Sequence, residues 1–480
     1  MSVRRTTRRC VIGAGSTALA WTMGHPPPSA FGRFAAPGSP PADLSGRVIW
    51  PQDPDYEDAR WDFNTRVSRF PAAIVICADT RDVQNAIRWA RQEGVPLRAR
   101  SGGHSYEAFS TIDDGLVVDL GGLSEVVVDV RRGEARVGAG VRLGDLYRRL
   151  WEDRLTLSAG TCPSVGIAGL TLGGGFGFLS RQDGLTCDTL LAVDLVDADG
   201  AVVRVSDQEH PDLFWALRGG GGGNFGIATS FTFRVRPIGD VALFSVTWPW
   251  DDVADVLDAW QHWAPFVDER LVSEFHVPDR RVGTIISVGQ FAGPAAELER
   301  LLRPLLDAGT VSSQQVESMP FLAAVEHFAG PEIAHRTFKN TGAFAYEPWS
   351  PEVIAIFVEH MRTSPVEGNI VVLYPFGGAI AAVDPAATAF VHRRALFNLQ
   401  YQAYWDDPAD EQANVAWVRD LRTAMLPYTT GTYVNFVDAD IADWATAYYG
   451  SNLARLARVK AEYDPDDVFG GPQSIPFPTR

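Results

Sequence analysis

Glycine clusters recur three times between residues 100 and 226: at Gly102-Gly103, from Gly169 to Gly177, and from Gly219 to Gly226. A glycine lets the backbone approach a bulky, charged or planar ligand because no Cβ intervenes. Successive N–H groups in such turns also form a cradle for an anion such as a pyrophosphate. Two of the turns carry a reactive side chain. Arg100-Ser101-Gly102-Gly103-His104-Ser105 presents His104, and Gly160-Thr161-Cys162-Pro163, ahead of Gly173-Gly174-Gly175-Phe176-Gly177, presents Cys162. A fold that satisfies this pattern brings the turns around one ligand and holds it from both sides.

The sequence around the turns alternates short β-rich and helical runs from residue 45 to 236. Ala73 to Ala78, Gly115 to Leu120 and Ala135 to Gly140 read as strands, and Asp82 to Gln92 and Leu143 to Trp151 as helices. Leu190 to Val196 and Ala201 to Val205 straddle Asp197-Ala198-Asp199-Gly200, a hairpin signal. Asp212 to Leu217 reads as a helical turn and Phe225 to Val235 as a strand. After Pro237 the pattern changes. Strands at Ala242 to Trp248, Thr284 to Gln290, Asn369 to Leu373 and Phe397 to Trp405 are interleaved with amphipathic helices at Val253 to Val267 and Pro351 to Met361. This predicts a second α+β domain with an antiparallel sheet. A chain of 480 residues exceeds one compact core, so two domains are expected.

A net charge of −17 excludes phosphate-backbone recognition and anionic membrane binding, so neither a nucleic-acid nor a membrane partner is expected. Ser2 to Arg9 is basic, Cys10 to Trp21 weakly apolar, and Gly24 to Pro41 rich in Pro, Ala and Gly. With Arg8-Arg9, this reads as a twin-arginine-like export signal and linker over residues 1–36, making the protein extracytoplasmic. Val11-Ile12-Gly13-Ala14-Gly15 imitates a dinucleotide fingerprint but lacks the preceding strand and the later acidic residue. Cys77 and Cys187 border or sit in apolar strands and read as buried thiols, unlike Cys162. No zinc-type ligand spacing surrounds His327 and His335, so no metal is expected, and no Gly-x-Ser-x-Gly hydrolase elbow occurs.

The motifs Arg100 to Ser105, Cys162-Pro163-Ser164-Val165-Gly166-Ile167-Ala168-Gly169, Gly219 to Ile227, and Tyr463-Asp464-Pro465 through Pro472-Gln473-Ser474-Ile475-Pro476 resemble those of the berberine bridge enzyme-like flavoprotein oxidases of the vanillyl-alcohol oxidase superfamily. The resemblance runs from about residue 45 to the end. It implies a two-domain α+β fold: an FAD-binding domain at 45–237, an antiparallel-sheet substrate domain with helices at 238–449, and a C-terminal segment at 450–480 returning to the FAD domain. It implies FAD attached covalently at His104 and Cys162. The FAD-contacting set is Arg100, Ser101, Gly102, Gly103, Ser105, Gly160, Val165, Gly169, Gly173, Gly174, Gly175, Gly177, Gly226, Ile227 and Gln473. Val165 matches the position gating dioxygen, and a small side chain there resembles the oxygen-reactive members.

On the substrate side the resemblance implies a tyrosine base in a Tyr-x-Asn-Tyr strand, but this chain reads Tyr433-Val434-Asn435-Phe436. Phe176 and Phe376 also lack a hydroxyl, leaving Tyr106, Tyr374 and Tyr433 as catalytic candidates and Phe176, Phe376, Phe436 and Tyr401 as pocket residues. A phenyl ring accepts no proton, and acid–base assistance is typically worth about 10²–10⁴-fold. The expectation is an oxidase that passes a hydride from a small-molecule alcohol, sugar or secondary metabolite to flavin N5, with dioxygen as the oxidant and H2O2 as product. An oxidative cyclase of the same fold and a catalytically decayed flavin- or carbohydrate-binding protein are the alternatives. Oligomeric state is not set by the sequence.

Overall fold

Nearly continuous apolar runs mark strands buried on both faces, and Ala73–Ile76 and Leu116–Asp119 are two such runs. In the computed structural model, which describes residues 38–329 and 335–478, they pair in parallel at the centre of a four-stranded sheet. Its order is Arg47–Ile49, Ala73–Ile76, Leu116–Asp119, Leu97–Arg100. Parallel pairing needs a crossover, and helix Thr80–Glu93 provides one. Asp79 caps its first turn by accepting from the Asp82 N–H, and Gly94 ends it in the left-handed conformation. Leu97–Arg100 runs parallel to its neighbour, so the His104 turn leaves from a strand's carboxyl end, where open α/β sheets bind ligands. The expected export signal lies outside the described residues.

A five-stranded antiparallel sheet follows, in the order Val126–Asp129, Glu134–Gly138, Ile227–Arg234, Leu190–Val196, Val202–Ser206. The hairpin between the last two forms where Asp197-Ala198-Asp199-Gly200 places it, with the Asp197 carboxylate accepting from the Asp199 and Ala201 N–H groups. The third large sheet has seven antiparallel strands: Ser313–Pro320, Asp240–Pro249, Thr284–Phe291, Leu271–Pro278, Ile370–Pro375, Phe397–Tyr404, Phe338–Ala345.

Side chains alternate across this sheet. Phe275, Leu373, Leu399, Tyr401 and Ala403 face a core built with Trp260, Phe357, Trp417 and Leu421, carried by helices Val253–Trp263, Pro351–Arg362 and Glu411–Met425. The intervening residues Glu274, Tyr374, Gln400 and Tyr404 point the other way, into the cavity described below. Helix Leu453–Tyr463 and the tail then return to the third glycine cluster. Lys460 donates to the Asn224 carbonyl (3.0 Å), the Ile475 N–H donates to Asn224 Oδ1 (3.0 Å), and Tyr449 donates to the Gly220 carbonyl (2.9 Å).

Three strands of the large sheet are absent from the sequence reading, for different reasons. Ser313–Pro320 is a mostly exposed edge strand of Ser, Gln and Glu, and Leu271–Pro278 is interrupted by Glu274 and His276. Phe338–Ala345 is buried throughout yet contains Lys339, Asn340 and Thr341. Polar groups at those positions hide an apolar signature, and burial is tolerated where they find partners.

Candidate active site

One cavity of about 560 Å³ is lined by all three glycine clusters, within the usual range for small-molecule and cofactor sites. The His104 and Cys162 turns meet there because two glycines interlock. A Cβ on Gly102 would sit 2.2 Å from the Gly166 nitrogen, and one on Gly166 would sit 2.2 Å from Ser101 Oγ. Only bare backbone permits that approach. The contact brings both reactive side chains to one hydroxyl: His104 Nε2 lies 3.0 Å from Ser164 Oγ, and Cys162 Sγ lies 3.4 Å from the same oxygen. Phe63 stacks on the imidazole at 4.3 Å. Burial, reinforced by the nearby Arg142 charge, pushes the His104 pKa down to about 4, so the ring is neutral at ordinary pH.

The rest of this wall is backbone. Among the described residues, none of the N–H groups from Ser101 to Ser105, from Gly160 to Cys162, or from Gly222 to Gly226 has a protein acceptor. Open donors at this density, on three turns lining one cavity, suit an anionic ligand. Ser101, Gly102, Gly103, Ser105, Gly160, Val165, Gly169, Gly177, Gly226, Ile227 and Gln473 all border the cavity. Arg98 borders it too and was missed; its strand composition, Leu97-Arg98-Ala99-Arg100, gives no hint of which arginine turns inward.

The opposite wall is aromatic and amide-rich. Gln400 bridges two phenols, donating to the Tyr106 hydroxyl and accepting from Tyr374 at 2.8 Å. Gln402 donates to Gln400 (3.1 Å) and accepts from Tyr404 (2.9 Å). Phe176 packs edge-on to Tyr374 at 5.1 Å, and Phe436 stacks on Tyr106 at 5.7 Å. Burial raises the Tyr106 and Tyr374 pKa values well above the ordinary phenol value, against the Asn340 contact at Tyr106 and reinforced by Glu274 at Tyr374. Burial likewise raises Tyr433, against its bonds to Gly175 and Asn435. Forming a phenolate at any of the three is therefore disfavoured. Glu274 is the one carboxylate among the described lining residues; it is 3.2 Å from His276 Nε2.

Several expected site residues lie elsewhere. Tyr401 is fully buried in the core behind the sheet, because strand alternation turns it away while Gln400 and Gln402 face the cavity. Phe376 sits behind Phe176, 5.7 Å away, rather than on the wall. Arg100 is held off the cavity by Asp119 (2.7 Å). Gly173, Gly174 and Gly175 seat neighbouring segments: a Cβ on Gly173 would meet the Asn435 amide at 2.2 Å, and the Gly175 N–H donates to the Tyr433 hydroxyl at 2.9 Å. Tyr433 and Phe436 do border the cavity, on a turn rather than a strand, closed by the Phe436 N–H to the Tyr433 carbonyl at 2.8 Å. The missed Gln400 and Gln402 were readable from the period-two polarity of Phe397–Tyr404, whereas Glu274 lies in a strand, Leu271–Pro278, whose polar residues hid it.

Residues 71–206 match the FAD binding domain family, and residues 432–476 match the family described as berberine and berberine like. FAD-linked oxidoreductase YgaK of Bacillus subtilis (strain 168) is 44% identical over 438 residues, covering 90% of this chain and 97% of that protein. The chain belongs to the berberine bridge enzyme-like family of FAD-linked oxidoreductases. Aclacinomycin-N/aclacinomycin-A oxidase of Streptomyces galilaeus is 31% identical over 468 residues, 85% of each chain. The solved structure of Physcomitrella patens BBE-like 1 superposes with a TM-score of 0.87 at 32% identity, covering 92% of this chain and 98% of that one. The expected fold, a vanillyl-alcohol-oxidase-type α+β flavoprotein, is thereby shown, as are the enzyme class and FAD as its cofactor. The cavity fits that group: three turns of N–H donors without protein acceptors among the described residues suit a pyrophosphate.

Proposed function

We propose that this enzyme is an oxidase of a small hydroxylated or phenolic metabolite, with its flavin attached at both His104 and Cys162. The observation that carries the reading is the shared cavity: both attachment residues lie against one wall and a hydrogen-bonded phenol–amide array against the other. Bound FAD supplies the hydride acceptor and returns the electrons to dioxygen as H2O2. Val165, on the cavity wall, leaves room for dioxygen to approach. Residues 45–237 with the tail 450–480 hold the cofactor, and 238–449 supply the substrate wall. The Arg8-Arg9 segment directs export.

The chain's own groups divide the substrate chemistry between them. Tyr106 and Tyr374, fixed by Gln400, orient a substrate hydroxyl. Phe176 and Phe436 stack on its apolar face and exclude water. Glu274 takes the proton, because a carboxylate accepts one without first forming a buried phenolate. The aromatic lining favours aromatic, polyketide or other apolar substrates over simple sugars. A peroxide-release screen across phenolic metabolites, polyketide glycosides and oligosaccharides tests this. Turnover of the aromatic set is expected; flavin that no donor in the panel reduces would sink the oxidase reading. Yellow colour released into the supernatant on denaturation would sink the covalent one.

A further inference from the structure

Resting on the covalent reading above, we propose that Ser164 is the positioning residue for flavin attachment, its single hydroxyl serving His104 and Cys162 together. One proton arrangement of the Ser164 hydroxyl serves both contacts and leaves the attacking lone pairs free. Ser164 Oγ is within hydrogen-bonding distance of His104 Nε2 (3.0 Å) and of Cys162 Sγ (3.4 Å). A hydroxyl has one proton to give and two lone pairs to offer. Serving both partners, it accepts from the His104 Nε2–H and donates to the sulfur. The bond at one imidazole nitrogen sets the state of the other, so His104 Nδ1 is left with a free lone pair. Donation to the sulfur fixes the orientation of the Cys162 side chain.

Neighbouring groups hold this arrangement. Phe63 fixes the imidazole plane by stacking, and burial with Arg142 keeps the ring neutral, so the Nδ1 lone pair persists at ordinary pH. Ser164 itself is pinned by the turn it sits in: the Val165 N–H donates to the Cys162 carbonyl (3.3 Å), and the Gly102–Gly166 interlock follows at once. The hydroxyl has no other partner among the described residues.

The chemistry balances for each tether. One N–H or S–H bond and one flavin C–H bond break, one N–C or S–C bond forms, and the two electrons released pass to dioxygen, giving H2O2. Ser164 ends the reaction unchanged, having held the imidazole and the sulfur in place.

The test follows attachment itself rather than turnover. Wild type, Ser164→Ala, Ser164→Thr, Ser164→Val, His104→Ala and Cys162→Ala are produced in a riboflavin-starved host and then given FAD. Denatured intact mass and peptide mass report flavin at each site against time. Wild type gains one FAD mass linked at both residues, and each single tether variant retains one link; a wild type that gains none overturns the covalent reading on its own. With that reading standing, Ser164→Ala is expected to bind FAD stoichiometrically but attach it about tenfold more slowly, the size expected for losing one orienting hydrogen bond. Ser164→Thr restores the rate. Attachment in Ser164→Ala at the wild-type rate at both sites overturns the proposal. If that variant does not fold, the isosteric Thr and Val pair gives the same comparison, and equal rates in the two overturn it.

Discussion

The hydroxyl of Tyr433 already has two partners: it accepts from the Gly175 N–H at 2.9 Å and from the Asn435 amide at 2.8 Å. With both lone pairs taken, the hydroxyl seats the turn that carries Phe436 and has none left to accept a substrate proton. Tyr433→Phe leaves a buried N–H without an acceptor and is expected to cost about 1–3 kcal/mol of stability, read by urea denaturation, with kcat changed little. Glu274→Gln should do the reverse. It keeps the volume and hydrogen-bonding capacity, removes the proton acceptor, and lowers kcat about 10²–10⁴-fold with stability nearly unchanged. Steady-state peroxide assays on the two variants separate the roles; a kcat loss confined to Tyr433→Phe would restore the tyrosine as base.

At the scale of elements, the site is held together by a buried cation. Lys339, on strand Phe338–Ala345, contacts Glu107 (2.6 Å), Asp438 (2.5 Å) and Asp440 (3.1 Å). It thereby ties the sheet to the loop that follows His104 and Tyr106, and to the segment that follows Phe436. Burial opposes its charge, but Asp438 and Glu107 outweigh burial and hold its pKa above the ordinary lysine value. Its contribution therefore persists to alkaline pH and is lost only as pH rises through that raised pKa. Lys339→Met leaves buried Asp438 without its cation and Glu107 with Arg66 alone, and is expected to cost about 3–5 kcal/mol, seen as a lowered denaturation midpoint together with weakened FAD retention in the His104→Ala, Cys162→Ala background. Nothing in Phe-Lys-Asn-Thr-Gly announces this clamp, because its partners lie far along the chain. The glycine turns were legible because backbone approach demands glycine whatever surrounds it. Helix Leu143–Trp151 was legible from its own spacing. Tyr401 was misplaced because facing depends on which side of a sheet meets the second core, a tertiary fact.

For the whole molecule, two buried groups of opposite sign bear on stability against pH. His392 lies where strand Phe338–Ala345 meets helix Trp444–Tyr449. It accepts from the Tyr346 hydroxyl (2.9 Å), donates to the Ala447 carbonyl (3.1 Å), and stacks on Phe344 at 4.2 Å. Burial lowers its pKa from 6.5 to about 4, against those backbone carbonyls. Between these values the unfolded chain binds a proton and the folded one does not, so acidification from 6.5 to 4 removes stability. Asp62 runs the other way. Burial raises its pKa from 3.8 to about 6, opposed by Arg100 and the Ser110 hydrogen bond. Between 3.8 and 6 the folded state holds the extra proton, so acidification over that window adds stability. The two effects offset each other in wild type below pH 6, and substitution exposes each. His392→Gln should gain on wild type by up to about 3 kcal/mol as pH falls from 7 to 4, whatever its standing at pH 7. Asp62→Asn should be most favourable relative to wild type above pH 6 and lose that advantage by pH 4. Urea denaturation of the three proteins at fixed ionic strength reads both differences; curves that stay parallel across pH 4 to 7 would show that neither group titrates away from its ordinary value. The two differences from wild type are expected to run in opposite directions as pH falls from 6 to 4, because a buried neutral histidine and a buried acid set their proton uptakes against each other.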